Sequence, residues 1–285
     1  MARIVFRDPW DKNTTVEHVV TETYFSQQTD YQQVDVFETP KFGTVLALGG
    51  VINCTEVDEA GYHEMLAHVP LLAHPNPRRV LIIGGGDGGT MREVTRHEAV
   101  ETAVQVEIDE VVVDVCKKWL PETAVGYEHP KCNLIIGDGL AYVKDAPDQS
   151  FDVILVDSTD PVDAGTVLFT EDFYRECHRV LADDGILVPQ SDSMLNAPQQ
   201  VERVVRQLGD IFDRVHVYRS FVPTYPFCMW NFTFASKGVH PFEGLDEARA
   251  RALDPQLRYY TPDLHRAAFV LPKWMQQAIA AWTRT

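Results

Sequence analysis

Four apolar runs in this chain end in glycine or acid, and those ends are where chemistry would sit. Val80-Leu81-Ile82-Ile83 runs into Gly84-Gly85-Gly86-Asp87-Gly88-Gly89, which fits G-x-G-x-x-G through Gly84, Gly86 and Gly89. Glycine there lets a ligand approach the backbone and lets the chain turn tightly into a helix. A second run ends at Glu107-Ile108-Asp109, with Glu107 eighteen residues past Gly89. That is about the distance at which an acidic residue reaches a ribose hydroxyl. The third run ends at Gly137-Asp138-Gly139 and the fourth at Asp157-Ser158-Thr159-Asp160-Pro161. The glycine loop alone is a common turn, but loop, strand and acid in this order point to a nucleoside ligand. A dinucleotide and an S-adenosyl compound both fit at this point.

Asp87 separates them. It stands inside the loop, where a pyrophosphate or the carboxylate of S-adenosylmethionine would approach. Two like charges ~4 Å apart repel by about 4 kcal/mol at an effective dielectric of about 20, and reversing one sign makes a nominal difference of about 8 kcal/mol. Even a third of that is worth about a hundredfold in affinity. A donor that lacks the carboxylate and keeps its amine is selected, and decarboxylated S-adenosylmethionine is such a donor. Asp157 and Asp160, three apart after the fourth run, then suit a second, cationic substrate. Freeing the lone pair of an alkyl ammonium, pKa ~10.4, costs about 4.6 kcal/mol at pH 7. An ordinary carboxylate is too weak a base for that, so one that orients the amine and relays its proton is helped by a raised pKa.

The whole composition agrees with a cationic partner. Forty-two acidic against twenty-five basic residues give a net charge of -17, which repels nucleic acid and anionic membranes and draws in small cations. Five cysteines, widely spaced and without Cys-x-x-Cys, read as free thiols of a reducing cytosol, and no histidine pair has metal-ligand spacing. No metal and no resident cofactor are expected. The N-terminus lacks an apolar signal segment, and no apolar run approaches the ~20 residues of a membrane helix. A cytoplasmic protein is expected.

The elements that must position these residues follow from periodicity. With 285 residues and 45% hydrophobic content, the chain suits one large domain with a small companion. Residues 14–20, 33–37 and 44–48 are strand-like and suggest a small antiparallel sheet over residues 1–56. Residues 60–73 read as a helix, with Met65, Leu66, Val69 and Leu72 at helical spacing. From Arg79 to Val188, short apolar strands alternate with helices, the signature of right-handed crossovers and a mainly parallel sheet. A doubly wound α/β domain over residues 57–285 follows, with its ligands at the carboxyl ends of the strands.

The chain also resembles the polyamine aminopropyltransferase family, the spermidine synthases above all, almost end to end. The likeness rests on Glu56-Val57-Asp58-Glu59, Tyr62-His63-Glu64-Met65, the glycine loop, Val106-Glu107-Ile108-Asp109, Gly137-Asp138-Gly139, Asp157-Ser158-Thr159-Asp160-Pro161, Pro223-Thr224-Tyr225-Pro226 and Arg258-Tyr259-Tyr260. It implies a Rossmann-like, class I methyltransferase-like fold, assembly into homodimers or homotetramers, and small-molecule polyamine and nucleoside substrates. The activity implied is aminopropyl transfer from decarboxylated S-adenosylmethionine, a co-substrate, to putrescine. By motif position the resemblance makes Asp157 the acid that assists amine deprotonation. Gln32, Gly84, Gly86, Asp87, Glu107, Asp138 and Gly139 would bind the donor; Tyr62, His63, Asp87, Asp157, Asp160, Tyr225 and Trp230 would bind the acceptor.

Four departures from the family pattern stand out: Gly49-Gly50, Asn53, Asp163-Ala164 and Phe227-Cys228. Two of them flank the acceptor end, so agmatine, cadaverine, diaminopropane or spermidine enter as alternative acceptors. An S-adenosylmethionine methyltransferase, a nicotinamide-dependent dehydrogenase and a non-catalytic polyamine-binding protein are the rival readings.

Overall fold

The structure, a computed structural model, describes residues 4–159 and 163–283. Strands β1 (Ile4–Pro9) and β2 (Thr15–Val20) form a hairpin, and β3 (Glu22–Gln28), β4 (Gln33–Thr39), β5 (Gly43–Leu48) and β6 (Val51–Thr55) form a four-stranded antiparallel sheet. The sequence led us to expect one small sheet from three strands, whereas six strands make two sheets. β3 escapes the pattern because Glu22-Thr23-Tyr24-Phe25-Ser26-Gln27-Gln28 buries neither face fully; backbone pairing to β4, not burial, makes it a strand. One face of the sheet packs Phe37, Val45, Ala47 and Ile52 on the hairpin's Phe6 and Val20. The other face turns Val34, Val36, Leu46 and Cys54 towards the larger domain.

Helix α1 (Glu59–Ala73) follows, and then the alternating part begins. β7 (Arg79–Gly84), α2 (Gly89–Thr95), β8 (Thr102–Glu107), α3 (Glu110–Trp119), α4 (Pro121–Ala124) and β9 (Cys132–Ile136) build one half. α5 (Gly139–Asp145), β10 (Phe151–Asp157), α6 (Glu171–Val180), β11 (Leu181–Pro189), α7 (Pro198–Gly209), β12 (Arg214–Phe221) and β13 (Met229–Ser236) build the other. Three helices, α8 (Glu247–Leu253), α9 (Pro262–Ala268) and α10 (Lys273–Ile279), end it. The seven-stranded sheet runs β12-β13-β11-β10-β7-β8-β9. Strands β7 to β11 are parallel, while β12 and β13 pair antiparallel at one edge. Their connection spans only residues 222–228, too short for a crossover, so an antiparallel hairpin is forced.

Helices cover both faces of the sheet, as its continuous apolar strands require. α1 lies along one face and is buried at every position, with Met65, Leu66, Val69 and Leu72 packed among Val80, Ile82, Leu155 and Phe232. Its polar residues must therefore find partners inside the protein. The chain steps outward from β7 to β9, returns to β10, and steps the other way to β11. The boundary between β7 and β10 is thus the topological switch point, where α/β sheets bind ligands.

Candidate active site

Register sets the site. Asp157 pairs with Gly84 across β10 and β7, Ile83 with Val106 across β7 and β8, and Glu107 with Ile136 across β8 and β9. The four chemically notable strand ends therefore lie abreast along one edge. The glycine loop answers to its protein neighbours as well as to any ligand. Gly84 has φ +83°, and a Cβ there would lie 2.3 Å from the Asp157 carbonyl oxygen. A Cβ on Gly89 would meet His63 Nδ1 at 2.2 Å, so glycine at 89 is what admits the imidazole. Gln105 fixes the loop by donating from Nε2 to the carbonyls of Gly84 and Gly85, at 2.8 and 2.6 Å.

A cavity of about 440 Å³ opens over these strand ends, within the usual size of a small-molecule site. Gln32, Gly84, Gly86, Asp87, Glu107, Asp138 and Gly139 line it, as do Tyr62, His63, Asp157, Tyr225 and Trp230. Asp160 lies outside the described residues, as do the side chains of Asp163 and Ala164. One cavity therefore gathers every other residue that the sequence singled out as a binding or catalytic candidate.

Its carboxylates differ in environment. Burial raises the Asp157 pKa to about 6, the charge of Asp87 adds to this, and His63, Thr90 and Tyr62 partly offset it. Thr90 Oγ1 donates to Asp157 Oδ2 at 2.6 Å. Glu107 is pushed to about 7 by burial, against the opposing bonds from the Asp109 and Ile108 amides. Asp87 is tied down: its Oδ1 accepts from the Gly89 amide at 2.7 Å and faces His63 Nε2 at 3.1 Å. Asp138 spends Oδ1 on the amides of Leu140 and Ala141 as the cap of α5, an ordinary N-cap arrangement.

His63 is a cation wedged between carboxylates. Its Nδ1 lies 2.7 Å from Glu59 Oε2. Burial pulls its pKa down, but Asp87 and Glu59 outweigh that and hold it well above the ordinary range. Glu59 in turn contacts Arg92 at 2.7 Å and Arg258 at 3.1 Å. Burial opposes the Glu59 charge, yet His63 and Arg92 bring its pKa down to about 2. The cavity's far wall is aromatic. Tyr62 meets Tyr225 edge-on with centroids 5.7 Å apart, and Tyr225 meets Trp230 at 4.7 Å. Flat rings beside two carboxylates suit an alkyl chain that carries positive charge.

Comparison with known proteins decides the family. Residues 59–243 match the spermine/spermidine synthase domain, and residues 4–56 match the spermidine synthase tetramerisation domain. The chain belongs to the spermine/spermidine synthase family, the aminopropyltransferases. It is 43% identical over 270 residues to a polyamine aminopropyltransferase of Desulforudis audaxviator, covering 95% of this chain and 97% of that protein. A crystal structure of spermidine synthase in complex with the transition state analogue AdoDATO superposes with TM-score 0.95 at 38% identity, over 98% of this chain and 95% of that one. Spermidine synthase from Thermotoga maritima gives TM-score 0.94 at 38% identity, over 99% and 96%.

The family's motifs turn out to include much scaffolding. Asp58 accepts from the Thr224 amide and hydroxyl at 2.8 and 2.7 Å, which holds the loop before β13 against α1. Glu64 accepts three backbone amides, from Arg258, Tyr259 and Tyr260, at 2.7 to 2.9 Å. Glu59, Arg92, Thr90 and Gln105 brace residues that line the cavity, directly or through one another; sequence reasoning quoted Glu59 within a motif but gave none of the four a role. No sequence signal gave them these roles, because the contacts that define them join residues far apart in the chain. Of the departures, Asn53 lends its backbone carbonyl to the Tyr225 hydroxyl at 2.5 Å. Phe227 acts on the cavity through a neighbour. It is 40% exposed and lies edge-on against Trp10, centroids 5.5 Å apart, and Trp10 lines the cavity. A second cleft of about 650 Å³ lies elsewhere; its Arg92, Arg96 and Arg258 are already paired with Glu59 and Glu93.

Proposed function

We propose that this aminopropyltransferase moves the aminopropyl group of decarboxylated S-adenosylmethionine to putrescine, giving spermidine and methylthioadenosine. The observation that carries this reading is Asp157, buried at the switch point with its pKa raised to about 6, beside Asp87 and the Tyr62–Tyr225–Trp230 wall. The donor would lie over the glycine loop, its ribose hydroxyls on Glu107, its adenine amino group at Asp138 and its nucleoside beside Gln32. Asp138 keeps Oδ2 for that contact, since Oδ1 caps α5. The donor's ammonium would sit at Asp87. Putrescine would stretch along the aromatic wall, its far ammonium held by the acceptor residues, Asp160 included.

In the reaction the near ammonium of the acceptor first yields a proton to Asp157, and the neutral amine then attacks the carbon bonded to sulfur. The carbon–sulfur bond breaks, its electron pair stays on sulfur, and the sulfonium becomes a neutral thioether. The attacking nitrogen ends as a secondary ammonium, and Asp157 passes the proton it took to solvent. A carboxylate with pKa about 6 narrows the gap to an amine of pKa ~10.4 compared with an ordinary one. Tyr62 and Thr90, both hydrogen-bonded to Asp157, hold it in place for that transfer. No resident cofactor enters this scheme.

Phe227, Cys228 and Asn53 favour a second reading, in which the acceptor is agmatine, cadaverine, diaminopropane or spermidine. Purified protein given decarboxylated S-adenosylmethionine and each amine separately, with products weighed by mass spectrometry, decides between them. Spermidine as the dominant product supports putrescine. Turnover of another amine alone overturns it, and binding without turnover on any amine makes the protein a sensor. The tetramerisation-domain match over residues 4–56 supports assembly into a homodimer or homotetramer, which light scattering measures. Among the described residues no helix is long and apolar enough to cross a membrane; residence in the cytoplasm is our reading.

A further inference from the structure

We propose that Cys54, His63 and Asp87 form a binding site for a thiophilic divalent cation of the zinc type, whose occupancy shuts the active site. Each residue offers one ligand atom, and the three atoms lie within 4.8 Å of one another. Tetrahedral zinc sits about 2.0–2.3 Å from N, O and S donors, which asks for donor separations of about 3.3–3.8 Å. Binding therefore has to draw the three donor atoms together.

The surroundings are those of a ligand set. His63 Nδ1 is held by Glu59 at 2.7 Å, so Nε2 is the atom aimed at Asp87 and the cation. A carboxylate behind the imidazole is the usual support of a metal-bound histidine. Cys54 is 3% exposed and closes the site from behind. Asp87 lines the cavity, so the fourth position opens to water and to substrate. Sulfur, nitrogen and oxygen together select zinc or cobalt over magnesium or calcium, which prefer oxygen alone. Burial and the nearby Asp87 charge keep the Cys54 thiol protonated. Coordination displaces two protons to solvent, the Cys54 thiol proton and the Nε2 proton that His63 shares with Asp87. None of the roles proposed for the transfer reaction uses Cys54, so the site is separable from catalysis.

Binding stands independently of the proposed reaction; only its consequence, exclusion of the donor's ammonium from Asp87, rests on that reading. The test is cobalt(II) titration of metal-free, full-length protein. Wild type should bind one ion per chain with a thiolate-to-cobalt charge-transfer band and a tetrahedral visible spectrum. Cys54→Ser and Cys54→Ala should both lose the band, keep aminopropyl transfer, and need at least about tenfold more zinc for half-inhibition, by analogy with the 10–100-fold effects of removing supporting partners. Cys116→Ser, at another buried thiol, should retain the band, and a chelator should restore activity. A wild type without the band, or a band that survives in both Cys54 variants, overturns the site. A band that disappears as expected, with zinc inhibition unchanged, overturns the gating role alone. Because the cobalt spectrum needs no turnover, failure of the site is distinguishable from failure of the aminopropyl-transfer assignment.

Discussion

Asp157 illustrates how burial converts a common side chain into a working base. Its raised pKa of about 6 predicts that kcat/KM falls as pH drops through that value, a limb measurable with saturating donor. Asp157→Asn should lower turnover about 10²–10⁴-fold, the usual span for a lost proton-transfer group, with donor affinity little changed by calorimetry. Glu107 makes a prediction about stability. Its folded pKa, about 7 against an ordinary 4.5, means the stabilisation from proton binding is complete below the unfolded value and lost as pH rises through 7. At about pH 8 the buried charge costs up to about 3 kcal/mol. Glu107→Gln should therefore melt higher than wild type at about pH 8, lose that advantage near pH 4, and bind donor less well. Asp87 is subtler than its place in the glycine loop suggested, because His63 shares its charge. Asp87→Asn should weaken donor binding and erode preference over S-adenosylmethionine by up to about a hundredfold; unchanged selectivity would sink the charge argument.

At the scale of elements, the loop joining β12 to β13 is where this chain departs most from its family pattern. Phe227 and Cys228 both hold φ +56°, a left-handed conformation that costs non-glycine residues of order 1–3 kcal/mol. Asp58 on one side and the Tyr225 hydroxyl on the other keep the loop in that shape. Phe227→Ser with Cys228→Gly should stabilise the fold by about 1 kcal/mol in urea unfolding, the glycine's greater unfolded entropy offsetting part of the relief. The same double variant frees Trp10, so relative KM values across a panel of amines should shift; identical values would show that the rim does not tune the acceptor. The strands and helices between Arg79 and Val188 were legible to within a few residues, because strands buried on both faces must be apolar runs and helices between them must be amphipathic. The exposed strands β1 and β3 were not, since pairing with a neighbour can make a strand without any burial pattern.

For the whole molecule, a net charge of -17 surrounds a cavity whose own acids are partly neutralised by His63. A dicationic amine should be steered inwards, so kcat/KM for the amine should fall several-fold between about 0.05 and 0.5 M salt while kcat stays level. A flat salt profile would leave the surface charge without a role in capture.

By itself the sequence determined the alternating α/β core, the glycine loop with its internal acid, and the four strand ends that carry chemistry. These are local matters: periodicity within an element and residue type at its end. Tertiary structure alone decided that Asp157 stands beside Gly84, that the Glu59 carboxylate orients His63 towards Asp87, and that Cys54 completes their cluster. Those relations join residues far apart in the chain through sheet register and helix packing, and the pKa values that make the acids useful come from burial, which no single stretch of sequence encodes.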